Sequence, residues 1–427
     1  MPPADLLSGQ AHPVRTHARV LLASLVGTAV EFYDFYIFGT AAALVIGPLF
    51  FPEKSATAQT LLVFMTLGIA FFARPVGAVA FGHFGDRIGR KSTLVASLLL
   101  MGVSTFLVAF LPGYAVAGWV APALLCLLRF GQGFGLGGEW GGASLLAVEN
   151  APKGWDARFG IAAPLGAPLG FLFANGLFLL LGLGLSEADF LSWGWRVPFL
   201  ASSLLVILGL WIRLRIGETP AFKASLEAAP PPRVPLGKLL AEHPGAVLAG
   251  TMGVIACFAL FYLATTFALG FATKTLGYPR ETVLAIQLGA DVVFAIGIVV
   301  SGWWSDATTP RTVMAVGAAL TGLVGLGFGS GLAAGSLPVL FLTLSAALFV
   351  MGLCYGPIGA WLPSLYPVEV RYTGISLAFN LGGIVGGALA PLGAAWLAAQ
   401  GGVMWTGLVL TAAGVVTLVG VLAAPRQ

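Results

Sequence analysis

Two acidic residues stand one helical turn apart inside a long apolar segment. Glu31 and Asp34 occur in EFYDFYIFG at 31–39, so their carboxyl groups share one face if the segment is helical. Two like charges this close in a medium of low dielectric constant resist simultaneous ionisation. One of them is therefore a candidate proton carrier. The plainer interpretation is that one carboxylate neutralises a buried cation in a permanent ion pair, and both interpretations can hold together.

A buried arginine is the candidate partner of these acids. Arg129 lies near the centre of another apolar segment, with Gln132 one turn away on the same face. A guanidinium remains charged, and its planar fork matches a carboxylate. Arg129 is therefore predicted to bind either a protein acid or the carboxylate of a ligand. If a ligand displaces the acid and the acid then takes up a proton, the ion pair couples the two events.

Other polar residues fall at similar depth. Asp291 lies in the middle of an apolar run, where an ionisable group costs at least about 2.5–3.5 kcal/mol and needs a partner or a water-lined cavity. We interpret it as a third candidate proton carrier. Arg74 and Glu139 lie nearer the ends of their runs, where pairing is cheaper, and are interpreted as gating or structural residues. The uncharged candidates for a ligand site, for which helix packing is the plainer role, are Tyr33, Tyr36, Tyr262, Gln287, Asn380 and Trp361.

Long apolar runs must position these residues. The 427-residue chain is 58% apolar and only 9% charged, with a mean hydropathy of +0.95; globular domains have roughly 25% charged residues. Runs of about 20 apolar residues suit helices that span a bilayer, where every backbone polar group must be satisfied internally. We predict an all-α membrane protein with twelve transmembrane helices, near 20–47, 59–82, 92–111, 117–147, 158–184, 194–214, 244–273, 281–304, 312–333, 338–365, 373–399 and 403–423.

Basic residues are distributed unevenly between the two sides of the predicted bundle. Fifteen Lys and Arg residues fall on the side of the termini and four on the other. Because basic loops remain in the cytoplasm, we expect cytoplasmic termini and a multi-pass protein of the bacterial inner membrane. The predicted organisation is a cytoplasmic tail at 1–19, six helices within 20–215, a Pro-rich cytoplasmic linker at 216–243 and six helices within 244–424.

A charged decapeptide connects the second and third predicted helices. GHFGDRIGRK at 82–91 combines glycines, which let helix ends approach closely, with an acid and bases that can pair across helices. We interpret it as a gating latch, and the plainer alternative is a basic anchor that only fixes topology. Its candidate gating residues are Gly82, Gly85, Asp86, Arg87, Gly89, Arg90 and Lys91.

The same pattern returns 220 positions later in the chain. GWWSDATTPR at 302–311 keeps the first Gly, the acid as Asp306 and the final base as Arg311, but it lacks the Arg-x-Gly-Arg end. Such a repeat is typical of a duplicated membrane protein, so we predict two pseudo-symmetric six-helix bundles. Asp306 and Arg311 are the candidate gating residues of the second bundle.

The decapeptide resembles the signature of the major facilitator superfamily. FFARPVGAVAFGHFGDRIGRK at 71–91, RFGQGFGLGGEWGGA at 129–143, GWRVPF at 194–199, TTFALGFATKTLG at 265–277 and RYTGISLAFNLGG at 371–383 are similar to its metabolite:proton symporter family. The resemblance implies the twelve-helix fold of the superfamily. It also implies a cargo such as shikimate, α-ketoglutarate or citrate, or an osmolyte such as proline or betaine, driven by protons or sodium.

The predicted function is a proton-coupled symporter that imports a small organic acid by alternating access. The alternatives are a symporter of a zwitterionic osmolyte (proline or betaine) and an uncoupled facilitator. An enzyme is not expected, because the sequence has no nucleophile–base set, no HExxH motif and no paired metal ligands. We expect no cofactor beyond the coupling proton, no metal, no nucleic-acid partner, and a monomer in the lipid bilayer.

Overall fold

Apolar runs form helices throughout, as expected where backbone groups have no water to bond. The computed structural model describes residues 17–88, 90–137, 144–145, 147–148, 150–215, 235–367 and 370–425, except for the side chains at 19, 23, 82–94, 212–215 and 235. No strand occurs within these ranges. The prediction of an all-α protein is confirmed.

Twelve long helices make up two six-helix bundles, the N-terminal half α1–α6 and the C-terminal half α7–α12. They are α1 (Val20–Phe50), α2 (Ala56–Ile88), α3 (Arg90–Val108), α4 (Val120–Leu136), α5 (Gly166–Gly184), α6 (Val197–Arg215), α7 (Pro244–Lys274), α8 (Arg280–Ala307), α9 (Pro310–Ala333), α10 (Leu337–Ser364), α11 (Arg371–Gly401) and α12 (Thr406–Ala423). Within the described ranges, ten helical segments are long and apolar enough to cross a membrane, and α3 and α4 contribute the shorter apolar helices Val95–Val108 and Val120–Leu136. The predicted twelve-helix membrane fold is confirmed.

The two ends of the bundle are distinguished by the chain termini. With twelve crossings, α1 begins and α12 ends on the same side, which is called the terminal side below, and the opposite end is called the far side. In the segment between the two halves, Pro235–Glu242 forms a short helix.

Irregular turns occur at equivalent depths of the two halves. A π-helical turn, Ala42–Ile46, interrupts α1, and another, Leu263–Phe267, interrupts α7. The two turns begin 221 positions apart, close to the 220-residue offset of the sequence repeat. A π-helical turn shifts the hydrogen-bond register and is frequent at functional sites. The first helix of each half is therefore irregular at the same point.

Prolines break two helices at the boundary between the halves. A short helix, Asp156–Gly160, precedes α5 and is separated from it by a turn that contains Pro164. In α10, a turn at Gly356 and Pro357 follows Tyr355. Proline cannot donate the backbone hydrogen bond that would continue a helix, which accounts for the breaks at these two points.

Glycines let helices cross at backbone contact distance. A Cβ added to Gly133 of α4 would lie 2.1 Å from the Ala70 carbonyl oxygen of α2. A Cβ added to Gly387 of α11 would lie 2.3 Å from the Phe71 ring of α2. Small residues of this kind bring membrane helices together. The halves meet where α2 packs against α11 and α5 against α8, with α1 and α7 in contact between them.

Candidate functional site

A cavity lies between the two halves and takes residues from both. The space between its lining residues, including any part open to solvent, is ≈ 340 Å³. Helices α1 and α2 contribute one wall, and α7, α10 and α11 the other. We call it the arginine cavity. Its lining residues are Phe32, Tyr36, Arg74, Cys257, Phe258, Phe261, Tyr262, Met351, Tyr355 and Phe379.

Arg74 supplies the positive charge of the arginine cavity. The residue is 4% exposed, and its guanidinium carbon lies 4.4 Å from the Phe35 ring centroid and 4.7 Å from that of Phe71. Such contacts stabilise a buried cation without using its N–H donors. Among the described residues Arg74 has no ion-pair or hydrogen-bond partner, and its Nε is buried without one. Among the described residues, the Nε donor of Arg74 is therefore left for a ligand.

Groups from both halves surround this guanidinium. The hydroxyls of Tyr36, Tyr262 and Tyr355 and the carboxyl of the buried Glu31 all lie within electrostatic reach of Arg74. Phenols and a guanidinium offer hydrogen-bond donors. A cation surrounded by donors in a space closed to water suits a carboxylate. Glu31 is the protein's own acid at this point.

A second cavity adjoins the first and shares Tyr36, Phe261 and Tyr262 with it. The space between its lining residues, again including any part open to solvent, is ≈ 240 Å³. The Tyr36 and Phe261 rings are stacked with centroids 4.5 Å apart, so α1 and α7 touch where the two cavities meet. We call this second cavity the threonine cavity. Its lining residues are Tyr36, Gly39, Thr40, Phe171, Phe261, Tyr262, Thr265, Thr266, Leu269 and Gln287.

Gln287 of α8 supports the π-helical turn of α7. Its Nε2 donates to the carbonyl oxygens of Ala264 at 3.1 Å and Thr265 at 2.8 Å. Both acceptors belong to the turn Leu263–Phe267, where the shifted register leaves carbonyls that a side chain can satisfy. The amide thereby holds two threonines of α7 against the cavity, while Gln287 itself lines it.

Arg129 lies inside the N-terminal half and lines neither cavity. It is fully buried, with its guanidinium carbon 3.7 Å from the Phe38 ring centroid. Its Nη1 donates to Gln132 Oε1, and its Nη2 to the Leu67 carbonyl at 3.5 Å. Within the described part of the chain it forms no ion pair. Arg129 therefore bonds the protein in this conformation, and its predicted role in ligand binding stays a prediction.

Gln132 also has its hydrogen bonds within the protein. Its Nε2 donates to the Asp34 carbonyl oxygen at 2.7 Å and to Thr105 Oγ1 at 3.0 Å, while its Oε1 accepts from Arg129. It thus joins α1, α3 and α4. This role is that of a positioning residue, which fixes Arg129 and the backbone beside Asp34.

The candidate proton carriers lie in different surroundings. Asp34 is fully buried in α1 but lines neither cavity. Asp291 of α8 is 3% exposed, and its Oδ1 has no hydrogen-bond partner among the described residues. It lies within electrostatic reach of the hydroxyl of Tyr36, the α1 residue that lines both cavities. A carboxylate buried in this way is costly unless it gains a proton or a partner.

Three further candidates lie away from both cavities. The Tyr33 hydroxyl donates to the Pro198 carbonyl at 3.0 Å, which joins α1 to α6. Trp361 packs on α7, where a Cβ added to Gly253 would lie 2.4 Å from its ring. Asn380 Nδ2 donates across the boundary between the halves to the Gly137 carbonyl at 2.9 Å. Tyr36, Tyr262 and Gln287 are the predicted ligand-site residues that the structure brings together at the cavities.

Asp306 bridges the two halves on the terminal side. Its Oδ2 lies 2.5 Å from Arg158 Nε, and the carboxylate also accepts from the backbone N–H groups of Ala157 at 2.9 Å and Arg158 at 3.2 Å. Because backbone donors at a helix start lack partners within the helix, an acid can satisfy them. Arg311 contacts its own half, where its Nη2 donates to the Leu422 carbonyl.

A second ion pair bridges the halves on the far side. Arg280 Nη1 of α8 lies 2.7 Å from Glu187 Oε2, which follows α5. Arg280 Nε also contacts Glu281 at 2.6 Å, and its guanidinium lies 3.7 Å from the Phe190 ring centroid. The cavities are thus closed on both sides. Sequence reasoning assigned Arg158 and Arg280 only to topology, because the pattern does not show which acid each one meets.

Several gating predictions fall outside the described residues. The side chains of the loop 82–91 and of Glu139 belong to this group. The proposed latch of the first half therefore stays a prediction for Gly82, Gly85, Asp86, Arg87, Gly89, Arg90, Lys91 and Glu139.

Comparisons with known proteins agree with this architecture. Residues 20–228 match the family described as Sugar (and other) transporter. The chain is 48% identical to the inner membrane metabolite transport protein YhjE of Escherichia coli (strain K12), over 96% of this chain and 94% of that protein. It is 37% identical to the shikimate transporter of the same organism, over 89% and 87% of the two chains.

Solved structures share the fold at low sequence identity. The major facilitator proton:xylose symporter XylE, bound to 6-bromo-6-deoxy-D-glucose, superposes with a TM-score of 0.74 at 16% identity, over 96% of this chain and 95% of that one. XylE from E. coli in a partially occluded inward-open conformation gives the same TM-score. The chain therefore belongs to the metabolite transporters of the major facilitator superfamily, and it carries a small molecule rather than acting as an enzyme.

Proposed function

We propose that this transporter imports a small organic acid together with protons by alternating access. The observation that carries the proposal is the position of Arg74, whose guanidinium lines a cavity between the halves with Tyr36 and Tyr262 beside it. A carboxylate is the ligand group that such a cluster binds most strongly. Support also comes from the 37% identical relative, which is named for shikimate.

Glu31 is the residue through which binding and protonation are coupled in this proposal. In the closed state its carboxyl lies within electrostatic reach of Arg74. A cargo carboxylate at Arg74 neutralises the cation nearest to Glu31, and an acid whose neighbouring cation is neutralised in a low-dielectric site binds a proton more readily. Cargo binding therefore favours proton uptake, and proton release favours cargo release.

Asp291 provides a second proton site, in the other half. Its buried carboxyl has an oxygen without a partner in the described part of the chain, so a neutral, protonated side chain is favoured whenever the cavity is closed to water. Opening to either side hydrates this group and allows its proton to exchange. Because Asp291 must be protonated before the cavity closes, the empty transporter without this proton does not interconvert between its inward-open and outward-open states.

The direction of transport follows from topology in this proposal. Fifteen basic residues on the terminal side against four on the far side support a cytoplasmic terminal side. The 48% identical relative is named as an inner membrane protein, which supports the same membrane for this chain. The far side then faces the periplasm, and an inward proton gradient drives import.

A zwitterionic osmolyte is the second candidate cargo. The acids Glu31 and Asp291, together with the aromatic rings of the arginine cavity, could hold a quaternary ammonium by charge and cation–π contact. A zwitterion would still use Arg74 for its carboxylate. The binding experiment must therefore include proline and betaine beside acids that carry no ammonium group.

The experiment compares matched arginine substitutions in the purified full-length protein. Dissociation constants for shikimate, α-ketoglutarate, citrate, proline and betaine are measured by titration calorimetry. Arg74→Lys keeps the charge but loses the fork, and should weaken binding of the preferred acid about tenfold or more, in line with about 1.5–3 kcal/mol for hydrogen bonds to a charged group.

Arg129→Lys is the control for this experiment. Its guanidinium donates to Gln132 and the Leu67 carbonyl, so the substitution should lower the melting temperature and change affinity by less than about threefold. A larger loss of affinity in Arg129→Lys than in Arg74→Lys would place the anion site in the N-terminal half and overturn the assignment. Tighter binding of betaine or proline than of every acid would favour the osmolyte reading.

A further inference from the structure

We propose that the threonine cavity binds hydroxyl groups of the cargo, so that the transported acid is a hydroxylated one. The inference rests on the proposed function, in which Arg74 binds the carboxylate. Tyr36 and Tyr262 line both cavities, and the stacked Tyr36 and Phe261 rings lie where the two meet. In this proposal a single small molecule contacts both cavities once these rings move apart. The two cavities differ in their hydrogen-bonding groups. This difference indicates which chemical group of the ligand each cavity binds.

The threonine cavity contains groups whose donors are already used by the protein. Thr40 Oγ1 donates to Asn175 Oδ1, and Thr265 Oγ1 donates to the Phe261 carbonyl at 2.6 Å. Gln287 donates its amide hydrogens to the π-helical turn of α7. What these side chains retain are acceptor lone pairs. A ligand that satisfies them must supply donors.

Thr266 has a hydroxyl that is not used by the described residues. It lies on α7, is 5% exposed, and makes no hydrogen bond within the described part of the chain. A Cβ added to Gly39 of α1 would stand 3.0 Å from its Oγ1. The glycine therefore leaves space beside this hydroxyl at the boundary between the halves. Thr266 can both donate to a ligand oxygen and accept from it.

Hydroxyl groups fit this set of partners better than charged groups do. A carboxylate offers only acceptors, which would face the acceptors of Thr40, Thr265 and Gln287. An ammonium group calls for a carboxylate partner, and none of the lining residues of the threonine cavity is acidic. A hydroxyl both donates and accepts, and it carries no charge to be buried. The geometry thus matches a molecule with a carboxylate at one end and hydroxyls at the other.

The test compares acids that differ only in their hydroxyls, using the unaltered full-length protein. Titration calorimetry is carried out with shikimate against 1-cyclohexene-1-carboxylate, quinate against cyclohexanecarboxylate, and malate against succinate. In at least one pair the hydroxylated acid should bind about tenfold or more tightly, since each satisfied hydrogen bond contributes a factor of about 2 to 10. Equal binding within every pair that binds would overturn the inference.

Variants of Thr266 assign the preference to this cavity. Thr266→Val removes the hydroxyl at nearly constant volume, and should weaken the hydroxylated acid about fivefold while leaving its partner unchanged. Thr266→Ser should restore binding. Thr251→Val is the matched control, because Thr251 lies on the same helix outside both cavities and its hydroxyl is buried without a hydrogen-bond partner in the described part of the chain. An equal loss for both acids of a pair in Thr266→Val would overturn the inference.

Failure of this inference is distinguishable from failure of the proposed function. If Arg74→Lys weakens both acids of a pair alike while the hydroxyls make no difference, the carboxylate site stands and the hydroxyl site is wrong. If no acid of any pair binds, both are wrong. Binding of proline in preference to every hydroxylated acid would likewise overturn the inference.

Discussion

Neutralising Asp306 should open the terminal side of this transporter. Its carboxylate accepts three hydrogen bonds from the N-terminal half: from Ala157 N–H at 2.9 Å, Arg158 N–H at 3.2 Å and Arg158 Nε at 2.5 Å. All three cross the boundary between the halves, so they exist only while this side is closed. Asp306→Asn weakens the closed state without touching either cavity, and the equilibrium should move towards the state that lacks these bonds.

The size of this shift follows from the burial and the charge of the contact. The Asp306 side chain is 7% exposed and that of Arg158 26%, so the pair is shielded from much of the solvent. A hydrogen bond to a charged group contributes about 1.5–3 kcal/mol. The amide oxygen of asparagine can still accept from one backbone N–H. We therefore expect the closed state to lose about the free energy of one such hydrogen bond, and not of all three. At 1.4 kcal/mol per factor of ten, the population shifts about 10- to 150-fold.

Spin-label distances measure the populations directly. Lys153 and Thr308 are exposed on opposite halves of the terminal side, and cysteines introduced there, in a background without the native cysteines, carry the labels. Asp306→Asn should move the distance distribution to longer values. Arg280→Gln removes the far-side ion pair with Glu187 and should shift the equilibrium the other way, although less, because Glu187 is 69% exposed.

The outcome that refutes this reasoning is specific. Arg311→Gln serves as the control, because Arg311 contacts the end of α12 within its own half and should leave the distances unchanged. If Asp306→Asn and Arg311→Gln give the same distribution as the unaltered protein, the Asp306 contact does not hold the terminal side closed.

Two further predictions concern coupling and packing. Asp291→Asn should abolish uptake driven by a pH gradient in reconstituted vesicles while sparing exchange of labelled for unlabelled cargo, because the variant cannot release a proton. If a protonophore does not reduce uptake by the unaltered protein, this prediction is wrong. Gly133→Ala should destabilise the protein by about 1–3 kcal/mol, since its Cβ would lie 2.1 Å from the Ala70 carbonyl. Gly176→Ala, with nothing within 4 Å of the added Cβ, should leave the melting temperature unchanged or raise it, and equal effects of the two substitutions would show that the crossing is not tight.

The sequence was sufficient for the elements of the fold and for their number. In a bilayer, apolar runs of about 20 residues satisfy their backbone hydrogen bonds by forming helices, so the count of twelve could be predicted. The repeat that carries Asp306 indicated the duplication. It also identified Asp306 as a candidate gating residue, because charged residues are rare in so apolar a chain.

The pattern could not decide which side chains meet at the site. A helix that is apolar on every face has no apolar stripe to show which face is buried. From the sequence, Arg74 and Arg129 are therefore both buried cations, and Arg129 was preferred as the ligand-binding residue because it lies nearer the centre of its helix. Packing separated them: Phe35 lies beside both guanidinium groups, yet Arg129 is enclosed by Phe38 and Gln132, whereas Arg74 faces the cavity.

Contacts between the halves were decided only by the tertiary structure. Arg158 and Asp306 are 148 positions apart, and Tyr36 meets Phe261 from the other half of the chain. Local sequence specifies each helix by its neighbours within a few residues, whereas these pairs depend on how two complete bundles dock. The sequence by itself therefore determined the helices and their charged residues, and the docking of the bundles determined the cavities and the ion pairs that close them.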